Sequence, residues 1–289
     1  MLGNVKMDLP GEIREAFPAR PPDSDKRSVG TVAVVGGSRR FAHAPAIAGL
    51  GARAAGAGLV QLVVPDASRM AAGCLVPEAT FLKLTATCTA PRADVIVVGM
   101  GLGVSSTSEA IVTRLLSGSP GRFVVDADAL AVLASWCGGP GGYEPQKGQQ
   151  LVLTPHEGEA ARLLGWERVR ISSDRRAAAK EIAGRYHATT VLKGRHTLVV
   201  SADGARIYEN ATGNPFMALG GMGDLLAGVA GARWAYLGDD PFTAAASAVW
   251  LHGLASDEVV AEGQDPSLAN TAAHIGSLRV RLEGKERNA

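Results

Sequence analysis

Cysteine, aromatic residues and unbalanced charge are all scarce in this sequence of 289 residues. The three cysteines, Cys74, Cys88 and Cys137, are odd in number and lack CxxC spacing, which argues against a disulfide framework and against a zinc site. The net charge is +1 without a block of like charges, which argues against nucleic acid or an anionic membrane surface as the main partner. Few aromatic residues (5%) and many glycines (36) favour close helix–sheet packing over a β-sandwich.

Long apolar runs are also missing, and the N-terminus lacks the apolar core of a signal peptide. We therefore expect a soluble, cytoplasmic protein. The polar, proline-containing residues 1–29 are predicted to form an N-terminal extension. Residues 30–285, in a chain that is 46% hydrophobic, are predicted to form one domain with a substantial core.

Short apolar runs alternate with glycine-rich or polar loops and helix-like segments, which predicts an α/β fold with a parallel sheet covered on both faces. The runs are "TVAVVGG", "LVQLVVPD", "ADVIVVGMGLG", "RFVVDADAL", "QLVLTPHEGE" and "TTVLKG". Ala202-Asp203-Gly204 lies between two further short runs and predicts a hairpin. The chain from Asp224 to about Arg281 is predicted to be helical, and residues 136–149 form a long Gly/Pro-rich loop.

The loops that follow the predicted strands hold most of the residues that could carry chemistry. In open α/β sheets, ligands bind beyond the carboxyl ends of the strands, so these loops should converge. Gly99-Met100-Gly101-Leu102-Gly103 has GxGxG spacing and lacks the third glycine of a dinucleotide fingerprint, so a standard NAD site is not predicted. A GxxxxGK[ST] phosphate loop is absent as well, so other loops would have to hold a phosphate.

Two pairs of polar residues in these loops leave alternatives open. Asp126 and Asp128 close a strand, where Asp128 could cap the next helix. His156 and Glu159 are three positions apart at a helix start and therefore share one face. There the carboxylate could hold water around Mg²⁺ and the imidazole could bind a ligand. The alternative is a capping arrangement that involves Thr154 and Glu157.

Lys193 ends an apolar run, which is an unusual place for a purely solvated lysine. It could contact a phosphate or form a structural ion pair. Gly220, Gly221 and Gly223 lead into Asp224 and an apolar helical pattern. Asp224 could be a helix N-cap, or it could be a base beside a phosphoryl group bound at the helix N-terminus.

Together these stretches resemble one family in particular. "VVGGS..FAHAPAIA...ARAAGAGLV", "GMGLG", "VVDADAL", "LTPHEGEAARLLG", "VLKGRHT" and "TGNPFMALGGMGD" follow one another over about residues 31–255. In this order they resemble the ADP- or ATP-dependent NAD(P)H-hydrate dehydratases of the ribokinase-like superfamily. The resemblance implies a three-layer α/β/α fold with a mostly parallel central sheet. It also implies a repair reaction, in which hydrated NADH or NADPH, NAD(P)HX, is dehydrated at the expense of ADP or ATP.

The resemblance further implies where the ligands bind. The hydrated substrate is expected near Ala44, Gly103, His156 and Asp224. The nucleotide is expected along Lys193, Gly194, Arg195, His196 and Thr197, and at Gly221, Met222 and Gly223. Mg²⁺ is expected near Asp126 and Glu159, through water, and a homo-oligomer and a separate NAD(P)HX epimerase are implied as partners.

Chemistry agrees with this implication, because phosphate leaves a carbon atom far more easily than hydroxide does. Asp224 would accept the proton of the ring hydroxyl as the hydroxyl attacks the terminal phosphoryl group, and the N–H groups of residues 221–224 would stabilise its oxygens. Two alternatives stay open: a kinase of the same superfamily that acts on a hydroxymethylpyrimidine or thiazole alcohol, and a nucleotide-binding protein without catalysis. "TPHEGE" favours the dehydratase, since those kinases more often have Asn in place of His156.

Four positions depart from the family pattern. The family usually has Gly at the position of His43 and Thr at the position of Met222. It often has a smaller residue at Leu219 and Pro at Glu157. His43 is expected to narrow the substrate end of the pocket, whereas Met222 should leave a backbone anion hole intact.

Overall fold

A nine-stranded sheet forms the centre of the protein, as a computed structural model shows for residues 9–118, 120–136 and 143–284. The strand order is β3-β2-β1-β4-β5-β6-β7-β8-β9. The strands are β1 (Thr31–Val35), β2 (Leu59–Val64), β3 (Thr80–Lys83), β4 (Val95–Val98), β5 (Gly121–Val125), β6 (Gln149–Leu153), β7 (Thr189–Leu192), β8 (Leu198–Val200) and β9 (Ile207–Glu209).

Helices follow most of the strands and cover the sheet. They are α1 (Ala44–Ala54), α2 (Asp66–Leu75), α3 (Ser106–Gly118), α4 (Asp128–Trp136), α5 (Glu157–Leu164), α6 (Arg168–Ser173), α7 (Arg175–Tyr186), α8 (Met222–Leu237), α9 (Pro241–Ala261) and α10 (Leu268–Glu283). Across the described residues, no helix combines the length and the apolar character that crossing a membrane requires.

Strands β1 to β7 pair in parallel, whereas β8 and β9 add an antiparallel hairpin at one edge. The hairpin turn contains Ala202-Asp203-Gly204, as predicted. Short β-branched runs suit this sheet, because a parallel strand is covered on both sides and excludes polar side chains from both faces. The predicted mostly parallel α/β sheet is therefore confirmed.

Two apolar layers sandwich the sheet, one on each face. Val32 and Val34 belong to the layer with α1, α8, α9 and α10, whereas Ala33 and Val35 belong to the layer with α3, α4, α5 and α7. This alternation follows from the two-residue period of a strand. The predicted cover on both faces is confirmed.

Residues 9–29 pack onto the layer that contains α8 and α9. Ile13 is fully buried and Phe17 lies with its ring centroid 5.7 Å from that of Trp250. The side chain of Arg233 stacks over the Phe17 ring at 4.4 Å and hydrogen-bonds the carbonyl of Ala16. These contacts hold the described part of the extension against the main body.

One strand, β3, was not predicted from the apolar runs in the sequence. Strand β3 is short, lies at the edge of the sheet and is mostly exposed, so it lacks the continuous apolar run that marks the other strands. Of the predicted Gly/Pro-rich loop 136–149, residues 137–142, which include Cys137, lie outside the described residues.

Candidate active site

The loops singled out in the sequence follow β1, β4, β5, β6 and β7, which are consecutive neighbours in the sheet. Because these strands are parallel, their carboxyl ends lie along one edge. The loops therefore form one continuous rim, as predicted for an open α/β sheet.

Glycine is required where two of these loops cross. Gly99 has a φ of 127°, and a Cβ built on it would collide with the carbonyl oxygen of Asp126. Gly101 has a φ of 67°, and its Cβ would lie 2.8 Å from that of Phe41 and 2.9 Å from that of Ala44. The "GMGLG" turn thus brings the loops after β1, β4 and β5 into contact, and both positions disfavour any other residue.

Asp128 joins two of these loops. It is the first residue of α4, and its Oδ2 accepts a hydrogen bond from the backbone N–H of Gly103 at 2.7 Å. The contact that the structure shows is thus with a neighbouring loop, and the alternative of a helix cap does not describe it. This carboxylate fixes the end of the glycine turn.

Lys193 and Asp126 form the central ion pair of the rim. Nζ of Lys193 lies 2.7 Å from Oδ1 of Asp126 and 3.8 Å from Oε2 of Glu159. Burial lowers the pKa of Lys193, but the carboxylates of Asp126, Glu159 and Asp224 outweigh burial and raise that pKa above its ordinary value. Lys193 is thus a fixed cation, and the ion-pair alternative describes the ligand-free protein.

His156 and Glu159 form a reciprocal cap at the start of α5. Nδ1 of His156 accepts hydrogen bonds from the backbone N–H groups of Gly158 and Glu159, at 2.9 and 3.2 Å. Oε2 of Glu159 accepts from the N–H of His156 at 2.8 Å. The alternative of a capping arrangement is therefore confirmed, but His156 and Glu159 form it and Thr154 and Glu157 do not. Since Nδ1 accepts, a neutral His156 carries its proton on Nε2, which lies 3.5 Å from Oε1 of Glu159 on a side chain that is 59% exposed.

Asp224 lies in the first turn of α8 and is not its N-cap. The N-cap is Gly221, with a φ of 93°, and Asp224 is the third helical residue. The N-cap reading of Asp224 was therefore wrong. Burial raises the pKa of Asp224 to about 7, with a further contribution from Asp126, Asp128 and Glu159 against the lowering effect of Lys193. A carboxyl group with this pKa can gain or lose a proton near neutrality.

The backbone around Asp224 is open to an anion. Within the described part of the chain, the N–H groups of Gly223 and Asp224 have no acceptor, whereas the N–H of Met222 bonds to the carbonyl of Leu219 at 3.3 Å. A Cβ on Gly223 would lie 3.4 Å from Nζ of Lys193. The start of α8 thus places free N–H donors and the positive end of a helix dipole beside a lysine.

The segment 193–197 continues from β7 along the same rim. Gly194 and His196 adopt positive φ values of 142° and 55°, and Oγ1 of Thr197 donates to the carbonyl of Gly194 at 2.9 Å. Gly194, Arg195 and His196 are exposed. The segment is a tight turn that presents its side chains and backbone to solvent next to Lys193.

One model of a protein family matches residues 32–276 of the chain, and its description is NAD(P)H-hydrate dehydratase. The chain belongs to this family. The family match favours the dehydratase prediction over the kinase. Membership in the NAD(P)H-hydrate dehydratase family also agrees with the observed ribokinase-like α/β sheet.

Individual relatives support the family assignment. An ADP-dependent (S)-NAD(P)H-hydrate dehydratase from Neisseria meningitidis is 40% identical over 251 residues, which are 84% of this chain and 81% of the relative. A bifunctional NAD(P)H-hydrate repair enzyme Nnr from Thermanaerovibrio acidaminovorans is 36% identical over 273 residues. That match covers 89% of this chain but 52% of the relative, so the chain spans about half the length of such bifunctional relatives.

A solved structure agrees as well. The ADP/ATP-dependent NAD(P)H-hydrate dehydratase from Bacillus subtilis, co-crystallized with ATP/Mg²⁺, superimposes with a TM-score of 0.82. It is 28% identical, and the match covers 95% of this chain and 99% of that chain.

The four departures from the family pattern have different surroundings in the structure. Met222 is buried in the apolar layer, so its side chain lies away from the open N–H groups. Glu157 pairs with Arg175 at 2.6 Å. Leu219 is 48% exposed just before α8. His43 is exposed at the N-cap of α1 and makes no side-chain capping bond.

Sequence reasoning missed Arg175, at the start of α7. Its guanidinium donates to the carbonyls of Leu192 and Lys193, at 3.1 and 3.3 Å, and to Oε1 of Glu157 at 2.6 Å. It therefore fixes the backbone that carries Lys193. An arginine in the first turn of a polar helix carries no signal of this role, because its partners are 17 and 18 residues away.

Proposed function

We propose that this chain catalyses the nucleotide-dependent dehydration of hydrated NADH or NADPH back to NADH or NADPH. One observation supports this most strongly: Asp224, with a pKa raised to about 7, lies in a helix turn whose N–H groups at Gly223 and Asp224 find no acceptor among the described residues. A proton acceptor and an anion hole are thereby adjacent. Phosphoryl transfer from a nucleotide to a hydroxyl group needs these two features side by side.

In the first step, ionised Asp224 accepts the proton of the substrate's ring hydroxyl as that oxygen attacks the terminal phosphoryl group. A bond forms between the hydroxyl oxygen and phosphorus, and the bond from phosphorus to the nucleotide's bridging oxygen breaks. The N–H groups of Gly223 and Asp224 stabilise the charge on the phosphoryl oxygens. In the second step the carbon–oxygen bond breaks, inorganic phosphate leaves with the electron pair, and loss of a ring proton restores the double bond.

The proposed nucleotide site consists of two segments. They are residues 193–197, which begin with Lys193, and the start of α8 at Gly221, Met222 and Gly223. The fixed charge of Lys193 and its closeness to Gly223 support contact with a phosphate. Gly194, Arg195, His196 and Thr197 lie on the adjoining turn, of which residues 194–196 are exposed to a ligand. Met222 would contribute through its backbone, since its side chain is buried.

Ala44, Gly103 and His156 are the proposed contacts of the hydrated substrate, together with Asp224. Ala44 packs against Gly101 in the glycine turn after β4, and Gly103 ends that turn with its N–H bonded to Asp128. The side chain of His156 is 59% exposed, and its Nε2, which lies 3.5 Å from Oε1 of Glu159, is the proposed hydrogen-bond donor to the substrate. Besides burial, Asp128, which accepts from Gly103, and Glu159, which caps α5 with His156, both raise the pKa of Asp224, and this supports a substrate site that reaches the Asp224 carboxylate.

Asp126 and Glu159 are the residues that would hold Mg²⁺, through water. Within the described ranges, no three His, Cys, Asp or Glu side chains are arranged as a direct metal site. The two carboxylates already bind Lys193 and the cap of α5, yet retain oxygen atoms of the kind that hydrated Mg²⁺ prefers. The ion would neutralise charge on the nucleotide phosphates.

The remaining parts of this proposal concern the setting of the enzyme. We infer a cytoplasmic homo-oligomer, as the family resemblance implies, that acts on small molecules. A separate NAD(P)HX epimerase would supply the usable epimer. The bifunctional relatives support a link between the two activities, because this chain matches about half of their length.

Recovery of nicotinamide absorbance tests the proposed function directly. The purified protein is incubated with hydrated NADH and hydrated NADPH, with Mg²⁺ and either ADP or ATP. Absorbance should recover only when a nucleotide is present, with one phosphate released for each cofactor repaired. Parallel assays hold a hydroxymethylpyrimidine or a thiazole alcohol in place of the hydrated cofactor. Nucleotide consumed only in these assays would show a kinase, and no turnover of any of these substrates would show that catalysis has been lost.

A further inference from the structure

A cavity of about 390 Å³ lies at the opposite edge of the sheet from the candidate active site. It is bounded by residues just before β1 and β2 and by the carboxyl end of α1. The charged residues that line it are Arg20, Lys26, Arg53 and Arg279, with Asp25 and Glu78. We propose that this cavity binds the phosphate group of a small phosphorylated metabolite.

The balance of charge in the cavity favours an anion. Four cations face two carboxylates, so the lining carries a net charge of 4 − 2 = +2. The carboxylate of Asp25 is engaged in a local turn, where its Oδ1 accepts hydrogen bonds from the backbone N–H groups of Arg27 and Ser28 at 2.7 and 2.8 Å. Those bonds lower the pKa of Asp25. Glu78 lies 3.5 Å from Arg53 and offsets one of the four cations that line the cavity.

Behind the cavity, three arginines share one carboxylate. Glu283 lies 2.6 Å from Arg233, 2.8 Å from Arg279 and 3.7 Å from Arg20. Arg233 and Glu283 are both buried and neutralise each other. Arg20 and Arg279, which line the cavity, therefore keep most of their positive charge. Within the described residues, the buried Nε of Arg20 has no hydrogen-bond partner.

A glycine makes room for this convergence. Gly56 has a φ of 98°, and a Cβ built on it would lie 2.8 Å from Nε of Arg279 and 3.0 Å from a terminal nitrogen of Arg20. The absent side chain lets the two guanidinium groups approach the same backbone turn. Planar guanidinium groups form paired hydrogen bonds with phosphate oxygens, so their convergence suits a phosphate monoester.

The cavity is separate from the active site, although one helix connects them. Helix α1 begins at Ala44 on the active-site rim and ends beside the cavity, where Arg53 occupies its last turn. Since the two sites lie at opposite ends of the helix, a ligand in the cavity does not compete with the proposed substrates. The proposal is also independent of the proposed function.

Calorimetry with glycerol 3-phosphate and with inorganic phosphate, at matched ionic strength, tests the proposal. Arg53→Ala is the informative variant, because its partner Glu78 is 58% exposed and losing a surface ion pair costs little stability. It should weaken binding of both ligands about tenfold. Glu78→Gln should tighten binding. Arg114→Ala, on the exposed side of α3, is the matched control and should change nothing.

Gly223→Ala separates the cavity from the active site, since the added Cβ would fill space beside Lys193. Phosphate binding in the cavity should persist in Gly223→Ala and weaken in Arg53→Ala. The proposal is overturned if the wild type binds neither ligand at millimolar concentration, or if Arg53→Ala and Arg114→Ala bind alike. It is equally overturned if Gly223→Ala alone abolishes binding, because the phosphate would then lie at the active site.

Discussion

Nζ of Lys193 lies 2.7 Å from Oδ1 of Asp126, although 67 positions separate the two residues in the chain. This ion pair joins the ends of β5 and β7 across the intervening β6. In the proposed reaction the same lysine meets the nucleotide phosphates. One cation therefore has a structural partner before the nucleotide binds and a functional partner afterwards.

Lys193→Ala should weaken the binding of ADP or ATP by ~1.5–3 kcal/mol, the range for a hydrogen bond to a charged group. It should also lower the melting temperature, because Asp126 is 1% exposed and would lose its counter-charge. Adding Asp126→Asn should restore the melting temperature without restoring nucleotide affinity. Calorimetry and thermal unfolding measure both effects. Unchanged nucleotide affinity in Lys193→Ala would make this lysine purely structural.

Asp224→Asn should lower turnover by at least ~10²-fold, the usual scale for loss of a general base. Nucleotide affinity and the fold should be retained, because an amide has the same shape as the carboxyl group. Steady-state kinetics and nucleotide calorimetry on the same preparation measure the two properties. Near-normal turnover would rule out Asp224 as the base.

The pH dependence provides a second test of Asp224. Its pKa is raised from 3.8 to about 7, so the ionised base becomes available only as the pH rises through about 7. We expect kcat/KM to fall on the acidic side with a midpoint near 7. A midpoint close to 4, with substrates and nucleotide shown not to titrate there, would contradict the assignment.

The same raised pKa also affects folding stability, but in the opposite direction: activity rises with pH, whereas the stability that Asp224 contributes falls. The unfolded chain ionises Asp224 above 3.8, whereas the folded chain resists ionisation until about 7, so this group's contribution to stability falls between those values. Asp224→Asn should therefore gain stability relative to wild type between about pH 4 and about pH 7. Urea unfolding of both proteins at the two pH values measures the gain. A difference that stays constant with pH would show that the pKa is not raised.

The sequence predicted the sheet well because the strands' burial leaves a local mark. Val95–Val98 is buried along its whole length and appears in the sequence as an uninterrupted apolar run. Thr80–Lys83 lies at an edge with most of its side chains exposed, and nothing in its composition distinguishes it from a loop. The pattern of apolar residues reflects burial, so it does not reveal an exposed strand at the edge of the sheet.

The sequence predicted which residues lie at the site, but it did not predict which of these side chains bind one another. Strand ends could be read from the sequence, and they placed Asp126, His156 and Lys193 on one rim. Which carboxylate binds Lys193 depends on strand order, to which local patterns do not extend. The spacing of His156 and Glu159 predicted a shared helix face, yet left open that the two residues cap each other.

Glu283→Ala should destabilise the protein strongly, by about 3–5 kcal/mol, because it leaves the fully buried Arg233 without its carboxylate. The Arg20 and Arg279 side chains would lose the same partner. Urea unfolding measures the loss. Glu258→Ala, which removes a largely surface pair with Arg281 in the same helix layer, is the control and should cost about 1 kcal/mol or less. Equal losses of unfolding free energy in the two variants would show that the buried ion pairs stabilise the protein no more than the control pair does.

His43→Gly tests the departure from the family pattern that lies nearest to the proposed substrate. His43 is exposed at the N-cap of α1 and makes no capping bond, and Gly is a well-tolerated N-cap, so the variant should fold normally. If the imidazole narrows the pocket, its removal should raise kcat/KM for the hydrated cofactor. If it contacts the substrate, its removal should weaken binding of the hydrated cofactor. We expect the first result, because the proposed chemistry gives this side chain no role. Nucleotide affinity, measured by calorimetry, should be unchanged in either case. A change confined to nucleotide binding would place the loop after β1 at the nucleotide end of the site and contradict both versions.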